Sequence, residues 1–236
     1  MGQNLTINYS INFSIPKREK KLIKFIIIHY TGMKSELGAI KKLTKNGSKV
    51  SSHYFIKNNG EIINMVPDLF EAWHAGKSSW GKYQFLNKYS IGIEINNPGH
   101  QHGYRGFNIK QISSLKNLLK LLVKKYRIKK NCILGHSDVA PSRKKDPGEK
   151  FPWKELAKNR LCQWHRLNEK KIKKYRKKKI SLKNEKIFLN NLHRIGYSKQ
   201  SVKLVIKAFQ RRFRQDLING ITDKECFFIS KNLLKQ

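Results

Sequence analysis

Acidic side chains are scarce in this chain, with 15 Asp and Glu against 51 Lys and Arg in 236 residues. The resulting formal charge of +36 implies attraction to some polyanion or anionic surface. Nucleic acid, acidic polysaccharide, anionic lipid and a carboxylate-bearing cell wall all satisfy that requirement, so charge alone does not choose among them. Cysteine is also rare. Cys132, Cys162 and Cys226 are odd in number, far apart and outside any C-x-x-C spacing, which excludes a disulfide framework or a cysteine zinc site and leaves free thiols as the expectation. No apolar run approaches the ~18 residues of a membrane span. The opening, "MGQNLTINYSINFSIPKREKK", has no apolar core of a secretory signal. What is present in quantity is apolar and aromatic residues, 39% and 11%, enough to build a core despite the charge.

The length fits one ordinary domain with a small second one. "KLIKFIIIHYTG" reads as a buried strand whose β-prone run, Phe25 to Ile28, ends at His29. "SSHYFIKNNGEIINMVP" reads as a hairpin turning at Asn59-Gly60. In "YSIGIEINNPG", Ile91, Ile93 and Ile95 share one strand face and leave Gly92, Glu94 and Asn96 on the other. A helix follows from Asn108, capped by that residue with Gln111 three positions on, and carries Ile112, Leu115, Leu119, Leu122 and Tyr126 at helical spacing. "NCILG" is a further short strand that delivers His136 to its end. Strands mixed with a long amphipathic helix define an α/β domain with a mixed central sheet flanked by helices.

Composition changes after residue 165. Residues 166–180 form a basic run expected to be a linker or a solvated helix. Residues 181–236 are expected to form three short helices: one capped by Ser181 with Ile187, Leu189 and Leu192, a second capped by Ser198 with Val202 through Phe213, and a third opened by a Thr222/Glu225 capping box with Phe227 and Leu233 inward.

The stretch "GHSDVAPSRKKDPG" is the compact cluster with catalytic chemistry. A catalytic zinc takes three protein ligands and keeps one position open. His136 and Asp146 are ten residues apart, which is no helical repeat, but a loop between Pro141 and Pro147 can fold back on itself. The third ligand must come from another strand end. His29 is placed for that, and His53, His74, His100 and His102 compete with it. By spacing alone, a backbone-bonded core histidine and an ordinary Pro/Asp turn explain these residues as well, and Asp138 is equally suited to accept from a cap or a ligand.

Taken together, "IIIHYTG", "SSHYFIKNNGEIINMVP", "AWHAG", "SIGIEINNPG" and "GHSDVAPSRKKDPG" occur in the order seen in zinc-dependent N-acetylmuramoyl-L-alanine amidases, the family related to peptidoglycan recognition proteins. The resemblance covers about residues 20 to 160. "VIKAFQRRFRQDLINGITDKE" is more loosely similar to the three-helix peptidoglycan-binding module. The resemblance implies one zinc ion on His29, His136 and Asp146, Glu94 as general base and acid, and Lys144 stabilising the oxyanion. It places His53, Trp73 and His74 in motifs that line or support the cleft as substrate-binding candidates, and Asn96, next to Glu94 in the chain, is expected to orient Glu94 or the substrate. It divides the chain into a catalytic domain at 1–165, a linker at 166–180 and a peptidoglycan-binding-like domain at 181–236.

The expected partner is peptidoglycan or its muropeptides, with no specific nucleic acid, no transmembrane segment and a monomeric state. The wall-binding module implies the periplasm or envelope, whereas the absence of a leader implies the cytoplasm. Two rivals remain: a recognition protein of the same fold that binds without cutting, and a basic nucleic-acid-binding protein suggested by "KKIKKYRKKK".

Overall fold

The computed structural model describes residues 5–199 and 201–236. The first four residues, part of the stretch on which the expectation about export rests, lie outside them. In chain order the strands are β1 (Leu5–Ile7), β2 (Phe13–Ser14), β3 (Phe25–Tyr30), β4 (Tyr54–Ile56), β5 (Ile62–Asn64), β6 (Glu71–Ala72), β7 (Ser79–Trp80), β8 (Tyr83–Gln84), β9 (Ser90–Ile95) and β10 (Ile133–Gly135). The helices are α1 (Glu36–Thr44), α2 (Ile109–Tyr126), α3 (His136–Val139), α4 (Trp153–Lys158), α5 (Glu169–Lys173), α6 (Leu182–Ile195), α7 (Val202–Phe213) and α8 (Lys224–Leu233). None of them is long and apolar enough to cross a membrane.

Six strands form one sheet in the order β1-β5-β4-β9-β3-β10, parallel except for the β4–β5 hairpin. This is the mixed α/β architecture expected. Gly60 turns the hairpin at φ +87°, where a Cβ would come within 2.9 Å of the Lys110 carbonyl, so both backbone sign and space favour glycine. Parallel central strands are buried on both faces and read as continuous apolar runs, which is why Phe25 to Ile28 shows no alternation in sequence. One face of β3 and β9 (Ile26, Ile28, Ile91, Ile93, Ile95) packs on Leu115, Leu119 and Leu122 of α2. The capping box of that helix is formed as expected: Asn108 accepts from the Gln111 N–H at 2.9 Å and Gln111 accepts from the Asn108 N–H at 3.2 Å.

The other face, with Phe25, Ile27 and Leu134, is covered by Phe188, Leu192, Phe209 and Phe213 of the C-terminal helices. That arrangement departs from the expected details in three places. In α6 the inward residues are Phe188 and Leu192, while Ile187 is 38% exposed. The N-cap of α7 is Ser201, and that of α8 is Asp223, whose carboxylate accepts from the Cys226 N–H at 2.9 Å. Asp is at least as good an N-cap as Thr, and here the Asp223 carboxylate takes the donor that was expected for the Thr222 hydroxyl. The basic stretch after residue 165 is docked rather than solvated: Asn168 caps α5, Ile172 is buried, and Arg176 forks onto Glu225 of α8 at 2.7 and 3.0 Å.

One buried ion pair ties α7 to the sheet. Arg212 donates to Asp138 at 2.5 Å and to the Ile133 carbonyl at 2.8 Å, and its guanidinium lies 4.2 Å from the Trp153 ring centroid. Asp138 also accepts from the Tyr197 hydroxyl and from the Gly135 N–H, both at 2.8 Å. Removing one partner of such a pair leaves a buried charge unpaired, so Arg212→Leu is expected to cost about 3–5 kcal/mol. Urea denaturation checks this, and the double variant Arg212→Leu/Asp138→Leu should lose less than the sum of the two single changes.

Candidate metal centre and active-site cleft

The C-terminal ends of β3, β9 and β10 meet at a cleft of about 440 Å³. Strand register does the first part of the positioning. His29 and Glu94 are Cα partners on adjacent parallel strands, so their side chains leave the same face. The β3–β10 pairing brings His136, the residue after β10, alongside the end of β3. The loop from Ala140 to Gly148 then returns Asp146 to the same point, held where the Ser137 N–H donates to the Asp146 carbonyl at 2.9 Å.

His29 Nδ1, His136 Nδ1 and Asp146 Oδ2 form a triangle with sides of 2.9, 3.0 and 3.1 Å. All three residues are buried. The hydrogen bonds behind them decide which atoms carry protons. Ser90 donates its hydroxyl to the Leu86 carbonyl at 2.5 Å, so its oxygen accepts from His74 Nε2–H at 3.3 Å. His74 Nδ1 is then a lone pair and accepts from His29 Nε2–H at 3.1 Å, which leaves His29 Nδ1 unprotonated. His136 Nε2–H donates to the Ala75 carbonyl at 3.1 Å, which turns its Nδ1 toward the same point. Burial, with His136 adjacent, pulls the His29 pKa down to about 4 despite Asp146, so the ring is neutral at pH 7. Two imidazole nitrogens and a carboxylate oxygen thus converge on one point, each ring oriented by a hydrogen bond behind it, as in metal-ligating histidines. Tetrahedral zinc with bonds of about 2.0–2.1 Å sets its ligand atoms ~3.3 Å apart, within a few tenths of the observed sides. The donor set fits a divalent ion.

Glu94 points into the same cleft with its Oε2 buried and without a hydrogen-bond partner. Burial and the neighbouring Asp146 raise its pKa to about 8, against the pull of Lys144. Lys144 is half-buried on the cleft wall. Trp73 and His74 also line the cleft, the former anchored by its indole N–H to Ser14 at 2.9 Å.

Two expected cleft residues sit elsewhere. His53 is fully buried and does not reach the cleft: its Nδ1 accepts from the Gly92 N–H and its Nε2 bonds the Phe70 carbonyl, both at 3.0 Å. With both ring nitrogens committed to backbone it serves the scaffold, a correction to its expected substrate contact. Asn96 is likewise buried outside the lining, accepting from the Thr31 hydroxyl at 3.3 Å. Neither His100 nor His102 joins the triangle. His100 instead bonds Tyr30 at 2.8 Å and Glu149 at 3.1 Å on the cleft rim.

Two supporting residues escaped the sequence reading. Arg143 donates to the Ala75 carbonyl at 2.5 Å and to the Lys77 carbonyl at 2.6 and 3.0 Å, fixing the acceptor that orients His136. Gly92 leaves the space that His74 occupies, since a Cβ there would lie 2.4 Å from the imidazole. A glycine inside a strand pattern signals such close approach, so this contact was open to inference, whereas nothing local marks Arg143.

Fold and site together define an α/β domain with a candidate metal site and a buried carboxylate at the strand ends of its sheet. The sequence model of the Amidase_2 family, N-acetylmuramoyl-L-alanine amidase, matches residues 18–149. The N-acetylmuramoyl-L-alanine amidase AmiD of Escherichia coli is 34% identical, over 91% of this chain and 83% of the relative. The 1,6-anhydro-N-acetylmuramyl-L-alanine amidase AmpD of Haemophilus influenzae is 39% identical over 44% of this chain and 55% of the relative. Among solved structures, E. coli AmiD in complex with the substrate anhydro-N-acetylmuramic acid-L-Ala-D-gamma-Glu-L-Lys superposes with a TM-score of 0.80, covering 94% of this chain and 91% of the other at 34% identity. AmpDh3 of Pseudomonas aeruginosa gives 0.79 over 98% of both chains at 28% identity. The chain belongs to the N-acetylmuramoyl-L-alanine amidase family.

Titration with a divalent ion tests the proton assignments. His136→Ala is expected to abolish tight binding. His74→Ala, which touches the triangle only through His29, should weaken it about 10–100-fold with the fold retained, read by calorimetry and circular dichroism.

Proposed function

We propose that the chain cleaves the amide between the lactyl group of N-acetylmuramic acid and L-alanine with one zinc ion on His29, His136 and Asp146, Glu94 as proton shuttle and Lys144 as oxyanion partner. The observation that carries this reading is the convergence of two imidazole nitrogens and a buried carboxylate oxygen beside an unpartnered carboxylate oxygen in one cleft. Zinc suits two imidazoles and a carboxylate, and when bound it supplies Lewis acidity that makes water a nucleophile near pH 7 and polarises the scissile carbonyl.

The protein's own groups do the rest. Hydrogen bonds behind His29 and His136 aim their Nδ1 atoms at the site, and Asp146 is ionised: burial alone would raise its pKa, but the charge and hydrogen bonding of His136 and His29 outweigh burial and hold it below the carboxylate range. Glu94, poorly solvated, is a stronger base than a surface carboxylate. It takes the proton from the attacking water and returns it to the leaving amine of alanine, so one group serves both halves of the reaction. Lys144, close enough to shift the pKa of Glu94, supplies positive charge where the carbonyl oxygen becomes anionic.

The substrate class follows from the relatives' complexes, which hold anhydromuramic peptides. In the first of these the γ linkage of glutamate leaves its α-carboxylate free and the terminal lysine adds another, against one ammonium. A stem peptide of this kind is net anionic and suits the cationic rim formed by Lys42, Lys144 and Lys145. We read the C-terminal helices as contacting the same polymer and the envelope as the place of action.

Glu94→Gln is expected to keep zinc and lower kcat about 100-fold or more, measured on a soluble anhydromuropeptide. Lys144→Met should lower kcat about 100-fold with little change in KM. Glu94 must be ionised to accept the proton, so activity should be present above its pKa and fall as pH drops through it. Burial raises that pKa and a bound cation lowers it, so the acid limb of kcat should lie between the ordinary carboxylate value of about 4.3 and about 8. A limb that survives unchanged in Glu94→Asp would assign the titration to another group.

A further inference from the structure

Most of the +36 charge has no role in the cleft. Part of it is gathered at the opposite pole of the sheet, around a groove of about 710 Å³ lined by Lys20, Lys21, Lys24, Lys125, Arg127 and Lys129 and by no carboxylate. The groove also takes in Phe25 at the start of β3, Tyr126 at the end of α2 and Cys132 just before β10. It therefore lies at the N-terminal ends of the strands whose C-terminal ends present His29 and His136. At ~3.3 Å per residue, Phe25 and His29 are about 13 Å apart along β3, so groove and cleft open on opposite edges and can be occupied together.

Two of the six cations are already paired, Lys21 with Glu19 at 2.7 Å and Lys125 with Asp68 at 2.8 Å. Among the described residues, Lys20, Lys24, Arg127 and Lys129 have no carboxylate within ion-pair distance, and all four are exposed. Cations near the end of α2 complement its dipole, which accounts for Lys125 and Arg127. It does not account for Lys20, Lys24 and Lys129, which come from two other segments. Arg127 holds φ +53° at the C-cap, a conformation usually left to glycine or asparagine. Like charges collected this way repel one another unless an anion lies between them. Of the aromatic side chains on the groove, Phe25 and Tyr126 are buried, the latter with its hydroxyl bonded to Asp68 at 2.6 Å, and the half-buried Tyr83 packs edge-to-face on Phe25 and Tyr89 at 5.1 and 5.0 Å, so they do not form the row of open faces on which successive nucleobases stack.

We propose that this groove is a second binding surface for the anionic wall polymer, holding stem-peptide carboxylates of a neighbouring strand while the cleft engages its scissile amide. The inference rests on the proposed muropeptide substrate. Its consequence is retention: an enzyme gripped at both poles by a mesh rebinds before it escapes, without any new contact in the cleft.

The test is co-sedimentation of the full chain with insoluble peptidoglycan stripped of phosphate polymers, with a chelator present, across a salt series. Lys20→Glu/Lys24→Glu/Arg127→Glu/Lys129→Glu is compared with Lys110→Glu/Lys120→Glu/Lys158→Glu/Arg160→Glu, which changes net charge equally at exposed positions outside groove and cleft. The groove variant should bind about tenfold more weakly than the matched variant, with a shallower salt dependence. After zinc is restored, its rate on a soluble anhydromuropeptide should match wild type, which also shows that it is folded. A glutamine version of the groove set should fall between it and wild type. Equal binding by the two charge-reversed variants overturns the proposal. So does groove-dependent binding of wild type to phosphatidylglycerol vesicles without groove-dependent binding to the wall. Failure of wild type to cleave the soluble fragment would instead sink the amidase mechanism and leave the binding comparison readable by itself.

Discussion

Two imidazoles and a carboxylate lie about 3 Å apart in a buried site, and the rest of this structure is arranged so that His29, His136 and Asp146 cannot separate. Each is held from behind. His74 and Ser90 fix His29 in one tautomer, the Ala75 carbonyl fixes His136, and the Ser137 N–H fixes the loop that carries Asp146. The fold carries the cost of gathering these three polar groups away from water, which is the condition under which metal affinity and local order become linked.

The same logic gives the C-terminal helices a structural part. Asp138, two residues after His136, receives hydrogen bonds from Arg212 of α7 and from Tyr197, which follows α6. Gln215 reaches the Phe151 carbonyl at 2.8 Å, and Arg211 lies 3.9 Å from Glu149, which bonds His100 on the cleft rim. The segments on either side of the Asp146 loop are therefore both backed by α7 and the residues just after it. The aromatic cluster of Phe188, Phe209 and Phe213 covers the sheet face from which His29 and Glu94 emerge. Whatever these helices bind, they are also part of the wall behind the site.

Legibility in the sequence followed the range of the interactions. The α2 capping box, the hairpin glycine and the Ile91/Ile93/Ile95 face depend on residues a few positions apart, and each was visible there. The docked basic segment was not, because the partner of Arg176 is Glu225, 49 residues on. A charge run reads as solvated until its counter-charge is found. His53 misled for a related reason: a histidine in a motif shared with cleft residues looks like a contact, yet the Gly92 N–H and the Phe70 carbonyl use both its nitrogens. Only the neighbouring strand and loop show that.

By itself the sequence determined which chemistry was available: two imidazoles and a carboxylate at strand ends and loop, one carboxylate among isoleucines, and a surplus of cations. Residue type and short-range periodicity are local properties, so they can be read along the chain. Tertiary structure decided which of the eight histidines meet at the candidate metal site, which hydrogen bonds orient them, and that a group of lysines gathers at the pole opposite the cleft. Those outcomes depend on strand register and on hydrogen bonds between residues up to 117 positions apart, distances over which no sequence period carries information.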